Sequence, residues 1–393
     1  MLARSAFLEQ SICVLEVSRT LGNSPVASFY RVALPLARPA IVTGLSLALM
    51  ETLADYGTVQ YFGVSTFTTG IFRTWFGMGD SASAAQLSAM LLGFVFVLIV
   101  VERWSRKRAR FHHTSTKYSE IRRYRLQGFR KYLAFAACLL PVLLGFLLPA
   151  LQLLVWTLTT AEETISWSFF TLTWHSLMLA AIASIAAVLL ALVLAYGKRL
   201  RSTPLIEGSV RAAAMGYAVP GTVIAVGVLI PFAWLDNTVD GWMRESFGIS
   251  TGLLLSGTLV ALIFAYTVRF LSVSIQAVES GLAKIKPSMD DAGRSLGLRP
   301  MGVLRKIHLP IMKGTVLTAL LLVFVDVLKE LPATLILRPF NFNTLAVRAY
   351  EMAADERLAD AGAPALMIVL AGIIPVILLS RAISRARAGG ETR

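Results

Sequence analysis

The sequence predicts an all-α polytopic membrane protein. Hydrophobic residues make up 56% of the 393 residues and charged residues only 15%, whereas soluble domains are about a quarter charged. Apolar runs of about 20 residues, the length that spans a hydrocarbon core of ~30 Å, recur along the chain. A polar segment also occurs twice at a constant spacing. These three observations predict a duplicated bundle of membrane-spanning helices.

Eight apolar runs are long enough to cross a membrane. They lie near residues 37–55, 86–102, 132–156, 174–196, 209–234, 252–273, 314–337 and 363–380. The chain is most basic between the second run and the third. We therefore expect three parts, namely a first part with two spans, a basic linker, and a second part with six spans, which occupy residues 1–102, 103–131 and 132–393.

The net charge of +14 could suggest nucleic acid as a partner, but the basic residues lie between apolar runs. With the linker placed in the cytoplasm, only five of the 37 Lys and Arg residues fall in the outer segments, namely Arg73, Arg244, Arg338, Arg348 and Arg357. This asymmetry predicts a multi-pass protein of the bacterial inner membrane, with its C-terminus inside. The two Cys and four His show no ligand spacing, so we expect no metal site and no resident cofactor.

A segment of twenty residues, 16–35, recurs at 291–310, a shift of 275 positions (291 − 16). The identical pairs are Arg19/Arg294, Leu21/Leu296, Gly22/Gly297, Pro25/Pro300, Leu34/Leu309 and Pro35/Pro310. The register continues through Glu51/Asp326 and Asp55/Glu330. A gap-free repeat of this length indicates a duplicated half.

The first half is shorter than the second. The second half begins near Arg130, and the same shift would place the start of the first half about 145 residues before residue 1. We therefore expect the chain to lack the first four helices of its first half, through truncation or a misassigned start. Apolar spans encoded in frame upstream would support this expectation.

The second copy of the repeat is predicted to form two short helices with a sharp bend. Ser288 and Asp291 have the spacing of a capping box at a helix start. Gly297 stands where a left-handed glycine would end that helix. Pro300 suits the first turn of the next helix, and Pro310 is expected to end it.

The first copy has the same elements, with Gly22 at the break and Ser24 before Pro25. A simple connector would not need this shape twice. The bent segments are therefore the primary functional candidates.

These residues resemble the EAA loop of ABC-importer permeases, in which E-A-A-x-x-x-G is followed by I-x-L-P. The second copy reads Asp291-Ala292-Gly293, Gly297, Ile307, Leu309 and Pro310, and the first reads Glu16-Val17-Ser18, Gly22, Val32, Leu34 and Pro35. The resemblance implies a partial first half and a complete six-helix second half of that permease fold, with EAA loops at 9–36 and 279–313. It also implies that these loops couple the chain to an ATPase through Glu16, Arg19, Gly22, Pro25, Leu34, Pro35, Asp291, Ala292, Gly293, Arg294, Gly297, Pro300, Ile307, Leu309 and Pro310.

The chain contains no G-x-x-x-x-G-K-[ST] phosphate loop. We therefore expect a transport subunit and not an enzyme, with ATP and Mg held by separate ATPase subunits that form a dimer. The resemblance also implies alternating access and an external substrate-binding protein as a further partner.

Three stretches outside the bent segments, 60–76, 216–229 and 328–350, are similar to two-domain permeases for ferric iron. Permeases for thiamine, polyamines and other small solutes share the EAA loop, so those cargoes remain open. A secondary transporter driven by an ion gradient is the alternative from another class, since duplicated halves also occur there.

Five ionisable residues deep in predicted spans are candidates for the translocation path: Glu51, Asp55, Asp326, Lys329 and Glu330. Charges at that depth usually face a bundle interior or an aqueous cavity. Asp326 and Glu330 are expected on one face of one helix, which Pro332 would kink. Carboxylates would suit a hard ferric ion. The alternative that we favour slightly is a structural ion-pair cluster.

Overall fold

The computed structural model describes residue 7 and residues 17–107 and 126–388. Glu16 and most of the basic linker lie outside the described residues. The structure divides into two compact units, one of residues 1–54 and 89–147 and the other of residues 55–88 and 148–393. The three-part division expected from the sequence stays a prediction.

Helices account for all of the regular structure in the described ranges. The helices are α1 Pro25–Ala54, α2 Gly57–Tyr61, α3 Phe67–Phe72, α4 Ser81–Lys107, α5 Phe129–Thr159, α6 Trp167–Leu200, α7 Pro204–Ala213, α8 Gly221–Phe247, α9 Leu259–Ala283, α10 Pro287–Ser295, α11 Pro300–Leu328, α12 Pro332–Leu337, α13 Leu345–Ala354 and α14 Gly362–Ala388. A single turn, Ala161–Thr164, a 3₁₀ turn, Gly216–Ala218, a π-helical turn that follows α3, Arg73–Gly77, and the helical residues 17–20 are also present.

The prediction of an all-α polytopic fold is confirmed. Within the described residues, seven helices are long and apolar enough to cross a membrane: α1, α4, α5, α6, α8, α9 and α11. The predicted eighth span corresponds to α14, whose described apolar part, Gly362–Ile377, is shorter than the other seven.

Three of the long helices contain a π-helical turn, at Phe29–Ala33, Leu143–Leu147 and Leu304–His308. Each of these turns ends two residues before a proline, namely Pro35, Pro149 and Pro310. Proline lacks an N–H and clashes with the preceding turn of an α-helix. The wider π turn accommodates this defect within a continuous helix. The prediction that Pro310 ends its helix is therefore wrong.

The predicted span at 209–234 corresponds to α8, but its predicted bounds are wrong because the chain breaks between α7 and α8. Gly216 packs so closely on the backbone of α9 that a Cβ atom there would overlap the carbonyl of Val268. Pro220 then caps α8 in an extended conformation. An apolar run shows its hydrophobicity but does not show this close backbone approach.

The larger unit has a core formed by α6, α7, α9 and α11. Ala180, Ala183, Ala187 and Ala191 of α6 are fully buried, and their spacing puts them on one face. Small residues of this kind let neighbouring helices approach closely in membranes. The C-terminal ends of α6 and α9 and the N-terminal part of α11 thereby form a firm base beside the second bent segment.

In the smaller unit, a polar contact joins α1 to α4. Thr43 Oγ1 donates to Glu102 Oε1 at 3.1 Å, and Glu102 is buried. A buried carboxylate needs such a donor to offset the loss of water. This contact fixes the pairing of the two helices after the first bent segment.

Candidate functional site

The bend in the second copy lies between α10 and α11. The N–H groups of Leu296, Gly297 and Leu298 donate back to the carbonyls of Ala292, Arg294 and Gly293. The bond from the Leu298 N–H to the Gly293 carbonyl closes the six-residue loop that is typical of a helix ending in a left-handed glycine. Gly297 has a φ of +82°, which confirms the predicted conformation.

The first copy repeats this backbone bond by bond. Residues 17–20 are helical, and Leu21, Gly22 and Asn23 donate to Val17, Arg19 and Ser18 at 3.0–3.2 Å. Gly22 has a φ of +84°. Ser24 caps α1 as its Oγ accepts from the Ala27 N–H at 3.2 Å, as the sequence predicts.

The start of α10 differs from its prediction. Its N-cap is Lys286, and no side chain bonds the free N–H groups there. Pro287 takes the first helical position, which places Ser288 inside the helix. The predicted capping box at Ser288 and Asp291 is therefore wrong.

The side chains inside the two bends are different. In the first copy, the buried Ser18 and Ser28 hydroxyls lie 2.9 Å apart and form a hydrogen bond. The second copy has Gly293 and Val303 at these places. A Cβ on Gly293 would lie 2.8 Å from Ile307 Cδ1, so the second bend closes by apolar contact, and a larger residue there would displace the Ile307 side chain.

The outer surface of both bends is exposed. Asp291, Ala292, Arg294, Gly297 and Pro300 are exposed. So are Arg19, Gly22, Pro25 and Pro35 of the first copy, whereas Leu34, Ile307 and Leu309 are half-buried. At each tip an apolar residue points outward, Leu21 at 76% exposure and Leu296 at 83%. An apolar tip on a rigid bend is suited to insert into a groove of another protein.

Asp290, beside the predicted Asp291, anchors the second bend. Its carboxylate accepts from Arg199 Nε at 2.8 Å and contacts His308 Nε2 at 2.5 Å. Burial would raise the pKa of this carboxyl, but the hydrogen bonds from Arg199 and His308 outweigh burial and hold the pKa below its usual value. Neighbouring Tyr196 donates from its hydroxyl to the Pro300 carbonyl at 2.7 Å.

Sequence reasoning missed this anchor. Arg199 and Tyr196 end an apolar run about a hundred residues before the bend, and His308 has no ligand spacing. The available signal was Asp290 itself, a second acid at a position that the EAA pattern does not use.

Among the five path candidates, Glu330 is buried against Arg269 of α9. Their side chains are 6% and 7% exposed, and Arg269 Nη1 donates to Glu330 Oε1 at 2.9 Å. Glu330 also accepts the Ala333 N–H at 3.2 Å, which helps to start α12. Arg269 is the partner that the sequence analysis missed, although a charge inside an apolar run was visible there.

The predicted continuous helix from Asp326 to Glu330 is wrong. α11 ends at Leu328, and Pro332 takes the first position of α12 and so begins a new helix instead of kinking the old one. Asp326 and Lys329 form an ion pair of 3.1 Å at the end of α11.

The first-copy counterparts have different surroundings. Asp55 is half-buried, and its Oδ1 accepts from the Thr58 N–H at 3.4 Å. Glu51, in the other unit, is exposed. The structure therefore gives the five candidates at least three distinct environments.

Comparison with known proteins matches the chain to one family model, the binding-protein-dependent transport system inner membrane component, over residues 3–111 and 187–388. The chain is 28% identical over 370 residues to the Fe(3+)-transport system permease protein FbpB 2 of Haemophilus influenzae, covering 93% of this chain and 70% of that protein. It is 25% identical over 393 residues to the ferric transport system permease protein FbpB of Actinobacillus pleuropneumoniae, covering 93% of this chain and 52% of that protein.

Among solved structures, the chain is similar to the bacterial alginate ABC transporter crystallised with an alginate pentasaccharide-bound periplasmic protein. The TM-score is 0.49 at 14% identity, over 67% of this chain and 96% of that one. The family match covers both bent segments and most of the chain. The chain therefore belongs to the family of inner membrane components of binding-protein-dependent transport systems.

Proposed function

We propose that the chain is the membrane conduit of an ABC importer and moves its cargo inward by alternating access. The supporting observation is the shared backbone of the two bends, with the same hydrogen bonds and the same left-handed glycine. A shape that is kept in both halves serves a function that both halves perform. Docking of two equivalent ATPase subunits is such a function.

In this proposal, the exposed tips Leu21 and Leu296 enter grooves on two ATPase subunits in the cytoplasm. The partner subunits bind ATP and Mg, and this chain carries no nucleotide. The basic linker and the C-terminus lie on the same side of the inner membrane. An external substrate-binding protein delivers the cargo to the opposite side.

Ferric iron is the proposed cargo. Two relatives with matches across nearly the whole chain carry ferric transport in their names. The half-buried Asp326, which pairs with Lys329, carries the carboxylate oxygens that a hard cation prefers as ligands. Glu330 is engaged by Arg269, so it would be free for cargo only in another state of the cycle. Thiamine, polyamines and other small solutes are the alternative cargoes.

Uptake of radiolabelled ferric iron into proteoliposomes tests the function. The full chain is reconstituted with its ATPase and its loaded binding protein. We expect uptake that needs ATP and is inhibited by vanadate. Uptake that needs only an ion gradient would instead identify a secondary transporter. Uptake of thiamine or polyamine, with no uptake of iron, would show that ferric iron is not the cargo.

Substitutions at the left-handed glycines test the docking role. A Cβ at Gly22 or Gly297 meets nothing within 4 Å, so a side chain there acts through backbone strain. We expect Gly22→Val with Gly297→Val to abolish ATPase co-purification and uptake. The matched control is Asn at both positions, because Asn tolerates this conformation. Unchanged association in the Val variant would contradict the docking role.

A further inference from the structure

Each of the three nitrogens of the Arg199 guanidinium donates a hydrogen bond. Nε donates to Asp290 of α10, Nη1 donates to the Leu282 carbonyl at 2.6 Å, and Nη2 donates to the Ile285 carbonyl at 2.9 Å. Leu282 lies at the end of α9, and Ile285 lies in the connection to α10. One side chain at the end of α6 therefore fixes the end of α9, the connection after it and α10, which together lead to the second bend.

The same hydrogen-bond network also includes α11, the helix that follows the bend. His308, fully buried in the π turn of α11, contacts the second oxygen of Asp290. Tyr196 lies one turn before Arg199, and its hydroxyl bonds the Pro300 carbonyl at the start of α11. The two helices that flank the bend, α10 and α11, are therefore both attached to the last turn of α6.

The chemistry of Arg199 makes this attachment rigid. A guanidinium is planar and presents its donors in a fixed fork, whereas a lysine ammonium is a point charge on a flexible stem. Charge-assisted bonds to a carboxylate are also stronger than neutral ones. A displacement of α10 is therefore transmitted to α6 with little loss of amplitude.

A neighbouring pair shows what an ordinary surface contact looks like here. Lys198 donates to Glu279 at 2.7 Å and so joins α6 to α9, but both side chains are over a third exposed. This pair does not touch α10. It is a matched control on the same helix turn.

We propose that Arg199 and Asp290 are positioning residues that transmit movement of the second bend to α6. This inference rests on the proposed function, in which the bend is displaced by an ATPase. α6 packs on α9 and α11 along the core, so a push at Arg199 moves the principal bundle of the larger unit. The pair then sets how much transport each ATP hydrolysed produces.

A measurement on the full chain alone tests the positioning. Spin labels are attached at Leu296 and Leu205, which are both exposed, after Cys13 and Cys138 are changed to Ser. We expect a narrow distance distribution in the parent protein and in Lys198→Ala. Arg199→Lys and Asp290→Asn should broaden it, and equal widths in all four proteins would overturn the inference.

Coupling in proteoliposomes is the second test. For Arg199→Lys, we expect cargo moved per ATP hydrolysed to fall about tenfold, the scale of a typical coupling between sites, while ATPase binding is kept. Lys198→Ala should keep the parent ratio. Asp290→Asn serves as the second variant if Arg199→Lys folds poorly. If both variants keep the parent ratio, the inference fails.

The two proposals fail in different ways. If the unsubstituted protein shows no ATP-driven uptake, the proposed function is wrong, and the spin-label widths still decide whether the pair positions the bend. If the unsubstituted protein transports normally and the variants match Lys198→Ala, only the inference is wrong.

Discussion

The two bent segments share one backbone but are stabilised by different side chains. In the first, Ser18 and Ser28 close the bend with a hydrogen bond, whereas in the second Gly293 lets Ile307 pack directly against the helix. The glycine and prolines that set the backbone are among the residues that the halves keep. The contacts around them have diverged, so shape is the constrained property and the packing is adaptable.

The largest difference between the halves is at the paired positions Asp55 and Glu330, and it gives the largest predicted effect. Arg269→Ala would leave Glu330 buried without its partner, at a cost of about 3–5 kcal/mol in the free energy of unfolding. Asp55→Ala should cost under ~1 kcal/mol, because that carboxylate is half-buried and bonds a local N–H. Denaturant titration in micelles measures both.

The double variant Arg269→Ala with Glu330→Ala is the control for that prediction. It removes both charges and should recover part of the loss. If Arg269→Ala costs no more than Asp55→Ala, the buried pair does not distinguish the two halves.

Exchanging the closing contacts between the bends should give the next effect. Gly293→Ser brings a Cβ against Ile307 and Val303 and should cost about 1–3 kcal/mol through overpacking. Adding Val303→Ser recreates the pair of the first bend and removes one of the crowding side chains. The double variant should therefore be more stable than Gly293→Ser, as measured by thermal unfolding. If the double variant loses as much stability as the two single variants together, the closing contacts of the two bends are not interchangeable.

Single valine substitutions should have smaller and equal effects in the two halves. Gly22 and Gly297 have nearly the same φ, and a branched residue in that conformation costs roughly 1–2 kcal/mol. Gly22→Val and Gly297→Val should lower the unfolding temperature by the same amount, and the Asn variants by less. Unequal losses would show that the surroundings affect the strain.

The smallest effect expected is a pH dependence of the second bend. Because the folded pKa of Asp290 lies below its ordinary value, its ionised form stabilises the fold above an ordinary pKa of about 4. That contribution is lost as the pH falls through the depressed folded pKa. The spin-label distribution at Leu296 should therefore broaden on acidification, and Asp290→Asn should already be broad at neutral pH. The titratable and charged groups around Asp290 are Arg199, His308 and Tyr196.

The sequence predicted those features that depend on local chemistry. The left-handed glycines, the cap at Ser24 and the apolar spans follow from residues within a few positions of each other. Predictions failed where a local rule had two outcomes. Pro310 could end a helix or follow a π turn, and Pro332 could kink a helix or begin one.

Contacts between distant parts of the chain could not be predicted. Arg199 and Asp290 are 91 positions apart, and Arg269 and Glu330 are 61 apart. Their pairing depends on how α6, α9 and α11 pack, and apolar runs carry no information on that register. Arg269 was visible as a charge inside an apolar run, but it was not singled out as a position that needs a partner.

The two π turns at Phe29–Ala33 and Leu304–His308 differ by the same 275 positions (304 − 29) as the repeat. A π turn is equivalent to one residue inserted into an α-helix, and one residue rotates all later side chains by about 100°. Both turns end two residues before the paired prolines Pro35 and Pro310. The two halves therefore keep the π turn together with its proline, and the side chains that follow are rotated by the same angle in both helices.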